Sequence, residues 1–524
     1  VNSATNETTK PRSLAPLVPT NGAPFFAYLI FLFLVIRPLL LLGDGGTCRH
    51  VLTGQYVLHN HTIPSTNYVF AINPSAPWLT HELLSDLILG GAQDLLGLNG
   101  VVLIAALAIA LVLTWTYQFA RVRGLGVISG LLLLIIVMTA TSIHWSARAH
   151  VFSYVPFLIV YFILFVAELP AKLRYPLLVV TMSAWSNLHG SFVIGLMMII
   201  CKLFGDVVSI VISRTTKDAD ATFLSTATNA LKTHALDLVA AFVGISLNLR
   251  GLGFLKYVLD YASNPIIRFN SQESRSIDLL AGLPIYAFLA LMLIAVFVWT
   301  HSRKIPKPAE VLVTVALFVG GLYSMRIMPY FSLIALPVIA GSWPSLKQRI
   351  LAQIDRSGSK LLKPFAILFS LEEKLDTQES TTISTYLRAY VLFVVGIALW
   401  LFIPYFKIND YDPERLPVEA TTWLINKKVE GLGFNPDNWG DYLYWRREKP
   451  VFIDDKGDFY SPDFDKEYIA IYTGAAGWRD VLDKYKIDWL LLPNALPLVP
   501  VLKSDPAWTS GYQDGLVSIF LRRN

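Results

Sequence analysis

The sequence predicts a mainly α, polytopic membrane bundle of about eleven spans with a small C-terminal extracytoplasmic α/β domain. Three observations predict it. The chain of 524 residues is 54% apolar and only 15% charged, with a mean hydropathy of +0.51, whereas soluble domains carry about 25% charged residues. Apolar stretches long enough to cross a bilayer, roughly 17–25 residues, recur along most of its length. Residues 407–524, by contrast, hold well over a third of the charged residues in less than a quarter of the chain. The net charge of +5 is modest and follows loop bias, so nothing points to a nucleic-acid partner.

Residues 1–24, rich in Ser, Thr, Asn and Pro, read as a disordered cytoplasmic tail. The run PFFAYLIFLFLVIRPLLLLG is too long for a signal-peptide core and has no small-residue cleavage site. It therefore reads as an uncleaved first span over 25–43. Its interior Arg37 reads as snorkelling toward an interface or as a polyphosphate contact. Further spans fall near 98–119, 125–143, 151–168, 190–210, 232–249, 280–300, 308–323, 328–345 and 389–406, with a shorter crossing at 175–188.

If 175–188 crosses, Lys and Arg accumulate in alternate loops: Arg121 and Arg123, Lys172 and Arg174, Arg214 and Lys217, Arg303 and Lys304, then Lys347 and Arg349. That is the bias of cytoplasmic loops. It puts the N-terminus inside and the C-terminal domain outside. The segment 346–388 mixes basic and apolar residues at helical spacing and reads as an interfacial helix.

The transmembrane domain thus runs over 25–406 and the outer domain over 407–524. In the latter the pattern reads helix over 413–428, strand at VEGLGFN, helix at WGDYLYWR, strand at PVFIDD, helix at GWRDVLDKY, then strands at IDWLLLP and LVSIFLR. Short apolar strands alternating with helices predict a small α/β sheet. No glycine-rich nucleotide loop occurs there. Cys48 and Cys201 lie too far apart in this topology to form a disulfide.

The chemistry-bearing residues gather on the outer side. The loop 44–97 predicts two interfacial helices, from DGGTCRHVLTGQYVL and WLTHELLSDLILGGAQDLLG, which would hold Asp44 and Glu82 near one pocket. Asp44 stands where the first span leaves the bilayer. It reads as a catalytic carboxylate or as a helix cap. Glu82 reads as a second catalytic group, or as a cap or ion-pair partner of an outer arginine.

His50 and His81 lie in the same loop. His144, Arg148 and His150 follow in TSIHWSARAHVFS, and His189 in AWSNLHGSF. These histidines line a polar pocket or anchor the interface, and none has the spacing of a metal motif. Arg250, Arg268, Arg275 and Arg326, with Glu273 among them, are outer charges that the loop bias does not require. A guanidinium fork matches phosphate oxygens.

Asp44, His50, Gly54, Ile63-Pro64 and Trp78 with His81-Glu82 stand in a characteristic order. With the Trp185-to-Gly190 turn, Arg326 and the segments FNPDNWGDYLYW and VFIDDKGDFYS, the chain resembles the GT-C superfamily of polytopic membrane glycosyltransferases. The closer likeness is to bacterial members that use polyprenyl-phosphate sugars. It departs from their pattern at Asn67, where an acid is usual, at Leu83 in place of Trp, and at Lys456 in place of Arg.

The resemblance implies a bacterial inner-membrane enzyme that transfers a sugar from a polyprenyl-phosphate donor, with inversion, to an extracytoplasmic lipid, glycan or protein. Asp44 would be the general base and Glu82 with His81 a positioning pair. His50, His144, Arg148, His189 and Glu273 would contribute to substrate binding. Arg326, with Arg250 or Arg275, would clamp the leaving phosphate. Some members need a divalent metal. No acidic pair next to Asp44 indicates one here, so metal independence is expected and no cofactor is assigned. The rival readings are a transporter or flippase for a lipid-linked sugar, a polysaccharide polymerase or ligase, and a non-enzymatic scaffold.

Overall fold

The computed structural model describes residues 13–18, 22–72, 77–215, 221–263, 272–280, 282–357, 363–381, 383–456 and 460–523. Helix α1 spans Ala23–Ile36, and the outer loop after it folds into α2 (Gly46–Asn60) and α3 (Leu83–Leu96). Then come α4 (Leu98–Val122), α5 (Val127–Thr141), α6 (Ala149–Tyr161), α7 (Ala171–Leu188), α8 (Phe192–Thr215), α9 (Ala221–Ser246) and the shorter α10 (Gly253–Ser263). The bundle is completed by α11 (Leu283–His301), α12 (Pro308–Tyr323), α13 (Met328–Ser357), α14 (Lys363–Thr381) and α15 (Ile383–Phe402).

Beyond the first, the long apolar runs before residue 407 are helical over most of their length among the described residues. Among the described residues, six helical stretches are long and apolar enough to cross a membrane: Leu98–Val122, Val127–His144, Ala149–Val166, Phe192–Thr215, Leu283–His301 and Met325–Arg356. Ala23–Ile36, Pro308–Tyr323 and Arg388–Phe402 are apolar but shorter. The chain is a multi-pass membrane protein.

The first apolar run is not one helix over 25–43. α1 stops at Ile36, and a single 3-10 turn, Pro38–Leu40, follows. Pro38 removes a backbone N–H and disfavours helical geometry at Arg37 before it. Arg37 is exposed, with its guanidinium 5.9 Å from the centre of the Phe33 ring. Part of the expected tail is also seated. Ala15–Leu17 forms a 3-10 turn, and Trp115 and Gln118 of α4 donate to the carbonyls of Leu17 and Val18, each at 2.7 Å. Residues 1–12 and 19–21 lie outside the described residues.

At the end of the bundle carrying the basic loops, acids hold the arginines. Arg123 pairs with Glu310 at 2.8 Å and donates to the carbonyls of Phe165 and Pro337. Arg121 pairs with Asp376, and the fully buried Glu372 accepts from Lys347 and from the Ser129 N–H. The expected interfacial segment is therefore two helices: the end of α13, and α14 tied on by its carboxylates. Arg174 forks onto Asp237 deep between α7 and α9, through Nε at 2.7 Å and Nη2 at 2.5 Å.

The C-terminal unit begins with α16 (Val418–Asn426), β1 (Leu432–Phe434), α17 (Asp437–Arg447), α18 (Pro462–Thr473) and α19 (Trp478–Lys484). β2 (Ile487–Pro493), α20 (Leu498–Ser504), β3 (Trp508–Gln513) and β4 (Val517–Arg522) complete it. The sheet order is β1-β2-β4-β3, with β1 parallel to β2 and the other pairs antiparallel. α18, α20 and β3 do not appear in the sequence reading. PVFIDD, read as a strand, joins no sheet. Its Val451 pairs instead with Phe70 of the first outer loop as an isolated parallel bridge, which pins the C-terminal unit to the membrane domain.

The helix pair α2–α3 carries much of the site and crosses very closely. A Cβ on Gly54 would lie 1.8 Å from the Asp86 carbonyl oxygen, and one on Gly90 would lie 2.6 Å from the Gln55 nitrogen. Only glycine permits this backbone contact, as at small-residue crossings in membranes. Gly54→Ala should therefore cost about 1–3 kcal/mol through overpacking and lower the unfolding midpoint of the detergent-solubilised protein. Gly91→Ala should leave that midpoint unchanged, because its methyl would meet only the tip of Leu58, at 3.7 Å.

Candidate active site

Asp44 lies between the Pro38–Leu40 turn and α2. Its Oδ1 accepts the Gly46 N–H at 2.9 Å, so the carboxylate sits over the positive end of a helix dipole. It is also half of an ion pair, with Arg148 Nη1 3.0 Å from Oδ2 and 3.3 Å from Oδ1. Asp44 thus both caps the start of α2 and pairs with Arg148.

Arg148 caps the start of α6 and extends the network. Nη1 lies 3.8 Å from Glu273, and Nη2 lies 3.0 Å from Asp455 Oδ2. Glu273 in turn accepts from Arg326 Nε at 3.2 Å, and Asp455 Oδ1 accepts from Arg49 Nη1 at 3.0 Å. Burial opposes charge on Glu273, but Arg148 and its neighbouring histidines and Arg326 outweigh it and hold the carboxyl well below the usual carboxylate range. Asp44 and Arg326 are thereby joined through Arg148 and Glu273 by a continuous run of ion pairs.

A second network centres on Glu82, the residue before α3. Its Oε2 lies 3.8 Å from His50 Nε2 and from His81 Nε2, and its Oε1 lies 3.5 Å from His189 Nε2. Burial again opposes charge, yet His81, His189, His50 and Arg49 beside it hold the Glu82 carboxyl well below its usual range. Burial pulls His189 down to about 4 against the attraction of Glu82, so the ring is neutral at pH 7. Its Nδ1 accepts the Ser191 N–H at 3.1 Å, which leaves the neutral ring's proton on Nε2, facing Glu82.

His50 is oriented by Asp86, whose Oδ1 lies 2.6 Å from its Nδ1. A polar pocket with about 230 Å³ of empty space is lined by Arg49, His50, Trp78, His81, Glu82 and Lys456, among others. His144 and His150 connect the networks. Their rings are 5.4 Å apart, and His150 lies 6.5 Å from His189.

Not every expected residue joins these clusters. Arg250 is exposed with its guanidinium 4.9 Å from the Tyr257 ring centre, and no ion pair engages it among the described residues. Arg275 is exposed, and its backbone carbonyl accepts the Met325 N–H. Arg268 lies outside the described residues. Beside this end of the bundle, a mainly apolar groove with about 770 Å³ of empty space is lined by Leu83, Leu87, Val180, Leu247, Ser183 and Asn187, among others.

Sequence reasoning missed Arg49, Asp86 and Asp455. Asp86 carried a usable signal, since it stands one helical turn after Glu82 and so shares its face. Asn67, noted only as a departure, shapes the loop, with its Oδ1 accepting the N–H groups of Val69 and Phe70. Lys456, the other polar departure, lies 4.6 Å from the Trp78 ring centre and donates to the Leu79 carbonyl at 2.9 Å. Among the described residues no group of three His, Cys, Asp or Glu side chains could hold a metal ion.

No protein-family model matches the chain. No curated protein matches it either. Solved structures do. The archaeal oligosaccharyltransferase AglB from Archaeoglobus fulgidus, in complex with an inhibitory peptide and a dolichol-phosphate, is similar over 89% of this chain and 69% of its own, at 12% identity and a TM-score of 0.52. An A. fulgidus oligosaccharyltransferase tethered to an acceptor peptide is similar over 89% and 68%, at 12% identity and a TM-score of 0.50. ArnT from Cupriavidus metallidurans in the apo state is similar over 94% and 97%, at 14% identity and a TM-score of 0.47. The fold is of the GT-C type.

Beneath the site lies a buried carboxyl pair. Asp441 is 1% exposed, and its carboxyl lies within hydrogen-bonding reach of Asp454. Burial and then Asp454 push Asp441 well above the usual range, and burial pushes Asp454 up to about 6 against the pull of Arg49. Groups whose pKa is raised on folding bind protons more readily in the folded state, so their contribution to stability falls as pH rises from about 4 through 6. Asp441→Asn should remove this cost. The variant's unfolding midpoint relative to wild type should rise between pH 5 and pH 8, with about 1–3 kcal/mol gained at the upper end.

Proposed function

We propose that the protein is a glycosyltransferase that moves a sugar from a polyprenyl-phosphate donor to a hydroxyl-bearing acceptor on the outer side of a bacterial inner membrane. The observation that carries this reading is the run Asp44–Arg148–Glu273–Arg326, which links a carboxylate to an arginine at the end of the bundle where an apolar groove also opens. The GT-C fold supports it, as does the dolichol-phosphate held by one similar structure. In this reading the N-terminus is cytoplasmic, and 25–406 forms a bundle of about eleven spans. The unit 407–524 then lies outside.

The acceptor oxygen attacks the anomeric carbon on the face opposite the phosphate. The C–O bond to phosphate breaks with its electron pair leaving on the phosphate, and the configuration inverts. The acceptor proton passes to Asp44, whose carboxylate is held in place by the Gly46 N–H and Arg148. Negative charge growing on the leaving oxygen is met by Arg326, with Arg250, three residues after the groove's Leu247, and Arg275, two residues after Glu273, as further candidates. Glu82 with His81, His50 and the neutral N–H of His189 fixes hydroxyl groups of the sugar or acceptor. His144 and Arg148 keep the two networks in register. The acceptor is a lipid, a glycan or a protein.

The test uses purified protein and a panel of polyprenyl-phosphate sugars, with release of polyprenyl phosphate as the readout. Wild type should release it from at least one donor, and Asp44→Asn should lose roughly 10²–10⁴-fold, the usual worth of a positioned base. Consumption of no donor would remove this reading, and a fully active Asp44→Asn would remove Asp44 as base. A transporter would move lipid-linked sugar across vesicles without releasing the lipid phosphate.

A further inference from the structure

Asp455 belongs to the C-terminal unit, yet its carboxylate stands between two arginines of the membrane domain. Oδ1 takes Arg49 Nη1 and Oδ2 takes Arg148 Nη2, each at 3.0 Å. The approach requires a glycine on α2. A Cβ at Gly46 would lie 2.7 Å from Asp455 Oδ2 and 2.8 Å from Arg148 Cζ.

The segment bearing Asp455 is anchored on both sides. Before it, Val451 exchanges backbone hydrogen bonds with the outer loop, donating to Val69 at 3.0 Å and accepting from Ala71 at 2.9 Å. After it, Lys456 Nζ donates to the Leu79 carbonyl. The carboxylate's position is therefore set by both domains together.

Its consequence falls on Arg148. A guanidinium facing one carboxylate favours the bidentate fork, in which two nitrogens take both oxygens. Arg148 does not make that fork with Asp44. Both Asp44 oxygens face Nη1 alone, while Nη2 is committed to Asp455. Nη1 takes one lone pair of each Asp44 oxygen and Gly46 takes the second on Oδ1, so the second lone pair of Oδ2 is the one left for an incoming hydroxyl, and its direction follows the placement of Arg148.

We propose that Asp455 is a positioning residue, which by holding Arg148 Nη2 fixes the guanidinium and so the direction in which the remaining lone pair of Asp44 meets the acceptor, so that the C-terminal unit completes the active site. This rests on the glycosyl-transfer reading above. The groups facing Asp455 are Arg49 from α2, Arg148 ahead of α6, Glu273, His50, and Asp437, Asp441 and Asp454 of its own unit. Burial opposes its charge, and the two arginines outweigh burial and hold the carboxyl below its usual range.

The experiment measures kcat, donor KM and unfolding midpoint for wild type, Asp455→Ala and Asp455→Asn. Asp455→Ala should lose roughly 10- to 100-fold in kcat, the scale of a misplaced reacting group, with donor KM within about twofold and most of the protein folded. Asp455→Asn keeps an oxygen for Arg148 Nη2 and should recover part of that loss. If the alanine variant does not fold, the kcat of the asparagine variant decides, and a value equal to wild type overturns the proposal.

Wild-type kcat in a folded alanine variant also overturns it. So does a loss appearing wholly in donor KM or wholly in the folded fraction. A wild-type protein that turns over no donor removes the functional reading itself and this role with it. An active wild type with an indifferent Asp455 removes this role alone.

Discussion

The arrangement of the end of the bundle that carries Asp44 depends on one guanidinium. Arg148 is largely buried, and three carboxylates from distant parts of the chain converge on it: Asp44 after the first helix, Glu273 ahead of α11, and Asp455 from the C-terminal unit. Charges removed from water are costly unless paired, and three carboxylates so near one another repel unless a cation lies between them. Arg148 therefore does more than contribute one contact. It holds the helix exit, the loop before α11 and the C-terminal unit in one arrangement, and Arg49 and Arg326 extend that arrangement at either side.

Around this cation the site divides into two chemically different halves. The Asp44–Arg326 half is a chain of full charges, suited to proton acceptance at one end and anion stabilisation at the other. The Glu82 half is a carboxylate among imidazoles, of which His189 is neutral with its N–H directed at Glu82. Neutral donors and a charged acceptor suit hydroxyl groups, whose hydrogen bonds run in both directions. The close crossing of α2 and α3 through Gly54 and Gly90 brings His50 and Asp86 together, so backbone packing in this helix pair sets the geometry of the second half.

The C-terminal unit is not an appendage in this geometry. Its segment Val451–Lys456, which sequence periodicity presents as a strand, pairs with Phe70 rather than with the sheet, and it offers Asp455 and Lys456 to the membrane domain. An apolar run of this length reads the same whether its partner is a neighbouring strand or a loop of another domain. Periodicity reports which faces are covered and is silent about what covers them.

What the sequence determined by itself is the part set by solvent. The long apolar runs before residue 407 became helices, the first of them only as far as Ile36, because a backbone outside water must satisfy its own hydrogen bonds. Asp44, Glu82, Glu273 and the outer histidines were legible because polar groups at the ends of apolar runs are rare and conspicuous. Proline at position 38 was equally readable as a helix stop, although the length of the run concealed it.

Only the tertiary structure decided which charges meet. Arg49 and Asp455 are 406 residues apart, and nothing local distinguishes Asp455 from its neighbour Asp454. One is paired with two arginines, and the other shares a buried carboxyl contact with Asp441. A carboxylate has the same chemistry everywhere in a sequence. Its role comes from burial and from the charge beside it, and both exist only once the chain has packed.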